Sequence, residues 1–315
     1  MKPANILVIG SLNMDLVVTA DRIPEAGETI RGNDFQRYFG GKGANQAVSA
    51  ARLGAKVTML GRLGYDAFGR EQLEGLKQEG IDIRYISLDS HITSGVAVIT
   101  LQPNGENRII VVPGANGACS PRDIDVAEGA IKRADVIVLQ LEIPLETVAY
   151  VIRKAHALGK KVILNPAPAR VLPADLYPAI TVLTPNESEA KLLTGIEVTS
   201  KSKARQAAKH LLKRGVEHVV ITLGSGGVYG CNQMGEFHIP AHSVKPVDTV
   251  AAGDAFSGGL AVALAEGKPL MSAAKLANAA AAIAVTRPGA QPSMPNREEV
   301  ERFLEEEVEK HRDMS

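Results

Sequence analysis

Ile6-Leu7-Val8-Ile9-Gly10 is an unbroken apolar run closed by a glycine. With no polar residue to mark a wet face, it predicts a strand buried on both sides, as in a parallel sheet covered by helices. Working outward, short apolar runs recur at Val57 to Leu60, Val136 to Leu141, Val162 to Leu164, Thr181 to Leu183 and Val219 to Thr222. Amphipathic or alanine-rich stretches predicted as helices lie between and after them. These are Ala44 to Leu53, Phe68 to Glu79, Leu145 to Leu158, Glu187 to Leu193, Lys203 to Arg214, Ala255 to Ala265, Leu270 to Ala284 and Arg297 to Glu307. This alternation predicts an α/β fold: a three-layer sandwich with a mostly parallel central sheet.

Two regions break the rhythm, at about residues 13–39 and 94–112. The first holds alternating strand-like pieces from Asp15 to Phe39. The second holds Ser94 to Leu101 and Arg108 to Val112, joined by the turn Pro103-Asn104-Gly105-Glu106. Both predict a small β-sheet lid on one side of the fold, although an antiparallel extension with no part in binding would read the same way. Val96, Val98, Ile109 and Val111 give it more apolar surface than a free edge tolerates, which predicts a homodimer formed lid against lid.

The chain has 315 residues, enough for two domains or one large α/β domain. Neither an internal repeat nor a linker divides it, so residues 1–315 are expected to form a single domain. The 35 basic and 35 acidic residues balance, which argues against nucleic acid or an anionic membrane as partner. Cys119 and Cys231 are far apart and outside any CxxC pattern, as expected in a reducing cytoplasm. The run Ile6 to Ile9 is too short for a signal peptide, and Leu276 to Val285 falls far short of a membrane span. A soluble, cytoplasmic protein is expected.

Asp248-Thr249-Val250-Ala251-Ala252-Gly253-Asp254 is the strongest local signal. A turn of small residues there leads into a helix, whose free N–H groups attract anions, and Gly253 lets a phosphate approach closely. A carboxylate at Asp254 would face the transferred phosphoryl group, where a base must stand to take a hydroxyl proton. The same residue could simply cap its helix, and the local sequence leaves both roles open. Gly40-Gly41-Lys42-Gly43-Ala44-Asn45-Gln46 is a second glycine-rich turn before a helix. It matches neither GxxxxGK[ST] nor GxGxxG, so neither a Walker A loop nor a nicotinamide-dependent dehydrogenase is indicated. Leu223-Gly224-Ser225-Gly226-Gly227 could cradle nucleotide phosphates or form a plain hairpin turn. Asn13, Asp15 and Glu142 follow apolar strands, where α/β sheets bind ligands. Asn186 and Glu189 open a helix after another strand. Glu189 could hold Mg²⁺ directly or through water, or the pair could be a capped helix start. His238 and His242 are separated by Pro240 and do not make a zinc site.

Together and in this order, these segments resemble the ribokinase family of carbohydrate kinases. The match runs from Gly10-Ser11-Leu12-Asn13-Met14-Asp15 to Arg287-Pro288-Gly289-Ala290-Gln291-Pro292-Ser293, and includes Asn165-Pro166-Ala167-Pro168-Ala169 and Thr184-Pro185-Asn186-Glu187. The resemblance implies a ribokinase-like fold and ATP-dependent phosphorylation of D-ribose at its 5-hydroxyl, giving ribose 5-phosphate and ADP. Asn13, Asp15, Gly41, Lys42, Asn45 and Glu142 would then hold the sugar, and Asp254 would act as base. Ala251, Ala252 and Gly253 would present N–H groups to the γ-phosphate. Asn186, Thr222, Gly224, Ser225, Gly227 and Asn278 would line the ATP site, with Glu189 near Mg²⁺. Asp248, Val250, Ala284, Arg287, Gly289 and Ser293 would hold K⁺. A kinase of deoxyribose, another pentose or a nucleoside is the nearest alternative. A non-catalytic sugar-binding regulator would need no base, yet Asp254, Lys42 and the Gly253 turn are all present.

Overall fold

The computed structural model describes residues 3–103 and 105–313, so Asn104 of the expected turn lies outside the described residues. The chain begins with β1 (Asn5–Ile9), β2 (Asn13–Thr19), β3 (Asp34–Gly40), α1 (Lys42–Arg52), β4 (Lys56–Gly64), α2 (Ala67–Gln78) and β5 (Asp82–Asp89). It continues through β6 (Gly95–Leu101), β7 (Asn107–Val112), α3 (Pro121–Val126), α4 (Glu128–Arg133), β8 (Val136–Leu139), α5 (Leu145–Ala157) and β9 (Lys161–Leu164). The last third holds β10 (Val182–Leu183), α6 (Glu187–Thr194), α7 (Lys201–Lys213), β11 (His218–Thr222), β12 (Val228–Asn232), β13 (Gly235–Ile239), α8 (Ala252–Ala265), α9 (Leu270–Ala284) and α10 (Arg297–Asp313).

Nine strands form the main sheet in the order β13-β12-β11-β10-β9-β8-β1-β4-β5. It is parallel from β11 to β5, with β12 and β13 added antiparallel at one edge. The opening run shows why the sandwich has three layers. Successive side chains on a strand point to opposite faces, so Ile6 and Val8 belong to the buried cluster that includes α1, α8 and α9, while Leu7 and Ile9 belong to the one that includes α4, α5 and α7. All four are essentially inaccessible to solvent. Each Leu or Ile buried in this way contributes about 1.5–3 kcal/mol.

Strand β5 was not among the expected strands, while β12 follows the hairpin turn that was one reading of Leu223 to Gly227. Strand β5 reads Asp-Ile-Arg-Tyr-Ile-Ser-Leu-Asp and is only half buried, because it pairs on one side alone. A polar-interrupted edge lacks the continuous apolar signature that exposes β1. The second sheet has four strands in the order β3-β2-β6-β7, with β2 and β6 parallel and the other pairs antiparallel. Its strands occupy the two regions where the helix–strand rhythm breaks. No described helix is long and apolar enough to cross a membrane.

Candidate active site

The strand order locates the site. From β1 the main sheet grows one way through β4 to β5 and the other way through β8 to β11. The order therefore reverses between β1 and β8, and a crevice opens beyond their carboxyl ends. Ser11, Asn13 and Glu142 stand at those ends. Glu142 Oε2 accepts hydrogen bonds from Ser11 Oγ and from Lys42 N, the latter at 3.1 Å. The start of α1 is thereby tied to the turn after β1. Gly41, just before α1, has φ +87°, and a Cβ there would stand 2.7 Å from Asn13 N and 2.9 Å from Ser11 O. Only glycine allows the helix to begin this close to the turn. Asn116 Nδ2 donates to Asn13 Oδ1 at 2.8 Å, and Asn116 Oδ1 accepts from Leu12 N at 2.9 Å, so the Asn13 side chain is held in place.

Asp254 enters this cluster from the first turn of α8. Its Oδ2 accepts from Asn45 Nδ2 and its Oδ1 from Gln46 Nε2, both at 2.9 Å. The carboxylate is 4% exposed. Burial pushes its carboxyl up, opposed by the Lys42 ammonium and the two amides. Lys42 is pushed up in turn, chiefly by Asp254. Asp15 is raised to about 7 by burial and then by the charges of Glu142 and Asp254. Asn45 Oδ1 is buried without a hydrogen-bond partner among the described residues. A buried orphan acceptor among carboxylates and an ammonium suits a small ligand rich in hydroxyl groups.

Helix α8 begins at a strained residue. Ala251 has φ +61°, the one positive φ at a non-glycine residue among the described residues. Such strain costs about 1–3 kcal/mol and persists where the surroundings enforce it. The Ala252 N–H reaches Thr249 O only at 3.4 Å, and the Asp254 N–H donates to Ala251 O. Gly253 N–H has no partner among the described residues. A Cβ at Gly253 would meet nothing within 4 Å, so no packing inside the protein requires glycine there. What glycine provides is open space over the helix N-terminus. Deeper along α8, a Cβ on Gly258 would stand 2.4 Å from Ser49 Oγ, so glycine lets α8 lie close against α1.

The α8 N-terminus also forms one wall of a cleft of about 750 Å³. Lys42, Asn186, Glu189, Thr222, Gly224, Ser225, Gly227, Ala251 to Asp254 and Asn278 all line it. Gly227 has φ +83° and packs directly on the Ile239 carbonyl, while Gly224 has φ +50° and faces open space. Asn186 caps α6 by accepting from Glu189 N, and Glu189 returns the bond to Asn186 N. The helix-cap reading of that pair is therefore correct, and Glu189 still faces the cleft. Ala281, Ala282 and Val285 of the α9 region give the far end an apolar wall. One cleft thus joins a helix N-terminus, an apolar wall and a carboxylate backed by a polar cluster.

Residues 3–297 match the pfkB family carbohydrate kinases. The chain belongs to this family. A ribokinase of Bacillus subtilis is 45% identical over 95% of this chain and 99% of its own length. A deoxyribokinase of Salmonella typhi is 39% identical, covering 95% and 98%. The solved structure of Arabidopsis thaliana ribokinase complexed with ribose and ATP superposes with a TM-score of 0.90 at 36% identity, covering 96% of this chain and 99% of that one.

Family membership makes the protein a carbohydrate kinase. The residues expected at the site fall into three groups. Asn13, Asp15, Gly41, Lys42, Asn45, Glu142 and Asp254 meet through the contacts and charge couplings above. The residues expected around nucleotide line the cleft. Asp248, Val250, Ala284, Arg287, Gly289 and Ser293 do not line it. Asp248 Oδ1 and Oδ2 accept from Val250 N and Gly289 N at 2.9 and 3.0 Å, joining the two segments behind the start of α8. Arg287 turns its guanidinium to Glu299, and Ser293 Oγ donates to Ala290 O. Sequence reasoning missed Ser11, Asn116, Gln46, Gln140 and Asn165 as parts of the site. Gln140 carried a readable signal, since it is a lone polar residue within the apolar run Val136 to Leu141.

Proposed function

We propose that this carbohydrate kinase transfers the γ-phosphoryl group of ATP to the 5-hydroxyl of D-ribose. The observation that carries this is the buried Asp254 carboxylate, set where the nucleotide-sized cleft meets the polar cluster. Asp254 takes the proton of the 5-hydroxyl as that oxygen bonds to the γ-phosphorus. The bond from phosphorus to the β–γ bridging oxygen breaks, and ADP leaves. Asp254 need not be strongly basic, because the hydroxyl turns acidic only as it bonds to phosphorus. Asn13, Asp15, Gly41, Lys42, Asn45 and Glu142 hold the sugar, and the Gly253 end of α8 receives charge developing on phosphate. ADP release across a panel of free sugars and nucleosides tests this. Ribose is expected to be the best substrate, and a preference for nucleosides or no turnover with any sugar would refute it. Deoxyribose is the second reading, favoured by the similarity to a deoxyribokinase, and the ratio of the two rates separates them.

Two metal ions belong to the proposal. Glu189 would hold Mg²⁺ through water, since both its oxygens already accept from Asn186. Mg²⁺ dehydrates reluctantly and takes much of its shell from phosphates, so one protein carboxylate suffices; the ion neutralises phosphate charge. The residues expected at K⁺ offer the Asp248 carboxylate, the Ser293 hydroxyl and backbone carbonyls, hard oxygens that suit K⁺. The segments of Val250, Ala284, Arg287, Gly289 and Ser293 would complete that site. An ion there would touch no substrate and would stiffen the peptide groups leading to Gly253. K⁺ is therefore expected to raise the catalytic rate more than it tightens sugar binding, with Na⁺ a poor substitute. Asp248→Ala should weaken the effect. Turnover at constant ionic strength in K⁺-free buffer checks it, and full activity there would discard the ion.

The raised Asp15 carboxyl has a consequence for stability. Its ordinary value is 3.8 and it stands at about 7 in the fold. Between those values the folded protein holds a proton that the unfolded chain releases, so stability contributed here falls as pH rises from about 4 to 7. Asp15→Asn should flatten this slope in thermal melts of the sugar-free protein. An unchanged slope would place the titration elsewhere.

The small sheet is proposed to act as a lid and as the contact of a homodimer. Along its free edge Ile109, Ile110, Val111 and Val112 are each about half exposed or more. An apolar, unpaired edge invites a second strand or sheet. Light scattering at micromolar concentration should give the mass of two chains; a monomer would count against it. A cytoplasmic setting is also proposed.

A further inference from the structure

Behind Asp254 runs a row of buried amides. Gln46 and Gln140 are both inaccessible to solvent. Gln46 Nε2 donates to Asp254 Oδ1 at 2.9 Å and to Asn165 Oδ1 at 3.2 Å. Gln46 Oε1 accepts from Gln140 Nε2 at 2.7 Å. Asn165 Nδ2 donates onward to Thr184 O at 3.2 Å. An ionised carboxylate can only accept, so it sets the direction of the whole row. Gln46 must turn its nitrogen to Asp254, which leaves its oxygen for Gln140, and Gln140 must offer its nitrogen. Gly10 leaves room for this, since a Cβ there would stand 1.9 Å from Gln140 Oε1.

We propose that Gln46, oriented by Gln140, is the positioning residue that holds the Asp254 carboxylate at the angle from which it takes the sugar proton. The proposal rests on reading Asp254 as the base. The terminal torsion of an aspartate is soft and broadly populated. One donor on one oxygen leaves the carboxylate free to swing. Donors on both oxygens, Asn45 on one and Gln46 on the other, fix its plane. Asn45 faces the sugar cluster and is available to exchange partners with a substrate, whereas Gln46 is saturated by protein. Gln46 is also uncharged, so it steadies the base without neutralising it. The charged groups around Asp254 are Lys42 on α1, Asp15 on β2, Glu142 after β8 and Glu189 on α6. None of them contacts Gln46 through a hydrogen bond given above, so a substitution at 46 leaves them in place.

Gln46→Met keeps the length of the side chain and removes its donor. Its kcat should fall by ~10–10²-fold while KM for sugar and for ATP stays within about threefold. The acid limb of kcat/KM should move up by about one pH unit, the size expected for losing one hydrogen bond to a charged group. Gln140→Met should shift both in the same direction by less, because Gln46 loses its guide and keeps its donor. The protonated-carboxyl infrared band of Asp254, assigned by its absence in Asp254→Asn, reports the same titration without turnover. If the wild-type enzyme phosphorylates no sugar, the functional reading fails while the infrared titration still decides the role of Gln46. A folded Gln46→Met with unchanged kcat and unchanged titration overturns the proposal, as does a rise in KM with kcat intact. Should Gln46→Met fail to fold, Gln140→Met decides by the same two readouts.

Discussion

Asp254→Asn should bind ATP and sugar and lose turnover by ~10²–10⁴-fold. The substitution replaces one carboxylate oxygen by an NH₂ group that cannot accept a proton. It should not unfold the protein, for a reason visible in the site. Gln46 can keep donating to the remaining oxygen. Asn45 can turn its amide, because its Oδ1 has no partner among the described residues and is free to accept from the new NH₂. The variant also loses the buried charge that Lys42 faces, so the Lys42 ammonium should release its proton more easily than in the parent. Calorimetric titration with sugar and nucleotide, beside the turnover assay, separates binding from chemistry. Near-normal turnover would remove Asp254 from the mechanism.

Gly41→Ala should raise KM for sugar by about 10²-fold and lower stability by about 2–4 kcal/mol. Two costs add. At φ +87° a non-glycine residue is strained in itself. Its methyl group would also overlap Asn13 N, Leu12 Cα and Ser11 O, all backbone atoms that no rotamer change can move aside. Relief requires α1 to draw away from the turn after β1, and that parts Lys42 N from Glu142. The same motion carries Asn45 away from Asp254. Sugar KM and a thermal melt, measured together, check both effects. A variant matching the parent in both would mean that the turn yields more readily than its packing implies.

The sequence carried most of the architecture because the central strands are buried on both faces. Such strands are continuous apolar runs, and β1, β4, β8, β9 and β11 each stand out as one. Edge position removes that mark, which is why β5 was missed. The site was legible at its glycine turns, since Gly41 and Gly253 sit in short, unusual patterns. Those patterns could not tell which glycine answers to the protein and which to the cleft. Gly41 is required by backbone packed against it, whereas Gly253 leaves empty space. The amide row was not legible. A glutamine in an apolar strand reads only as an irregularity until a third element brings it a partner, and Asp254 comes from the far end of the chain.

That distance has a consequence for the life of the chain. Asn45 and Asp254 are 209 residues apart in sequence, and Arg52 of α1 donates to the carbonyl of Gln291, 239 residues on. A ribosome delivers the N-terminus first. The polypeptide thus carries the loop proposed to hold sugar through most of its synthesis without the carboxylate proposed to act on it. Helix α1 meets α8 only after the final strands have left the exit tunnel, so no shorter nascent fragment can pair Asn45 with Asp254. The pairing of Asn45 with Asp254 therefore waits on a contact that spans 209 residues and closes only when α8 reaches α1.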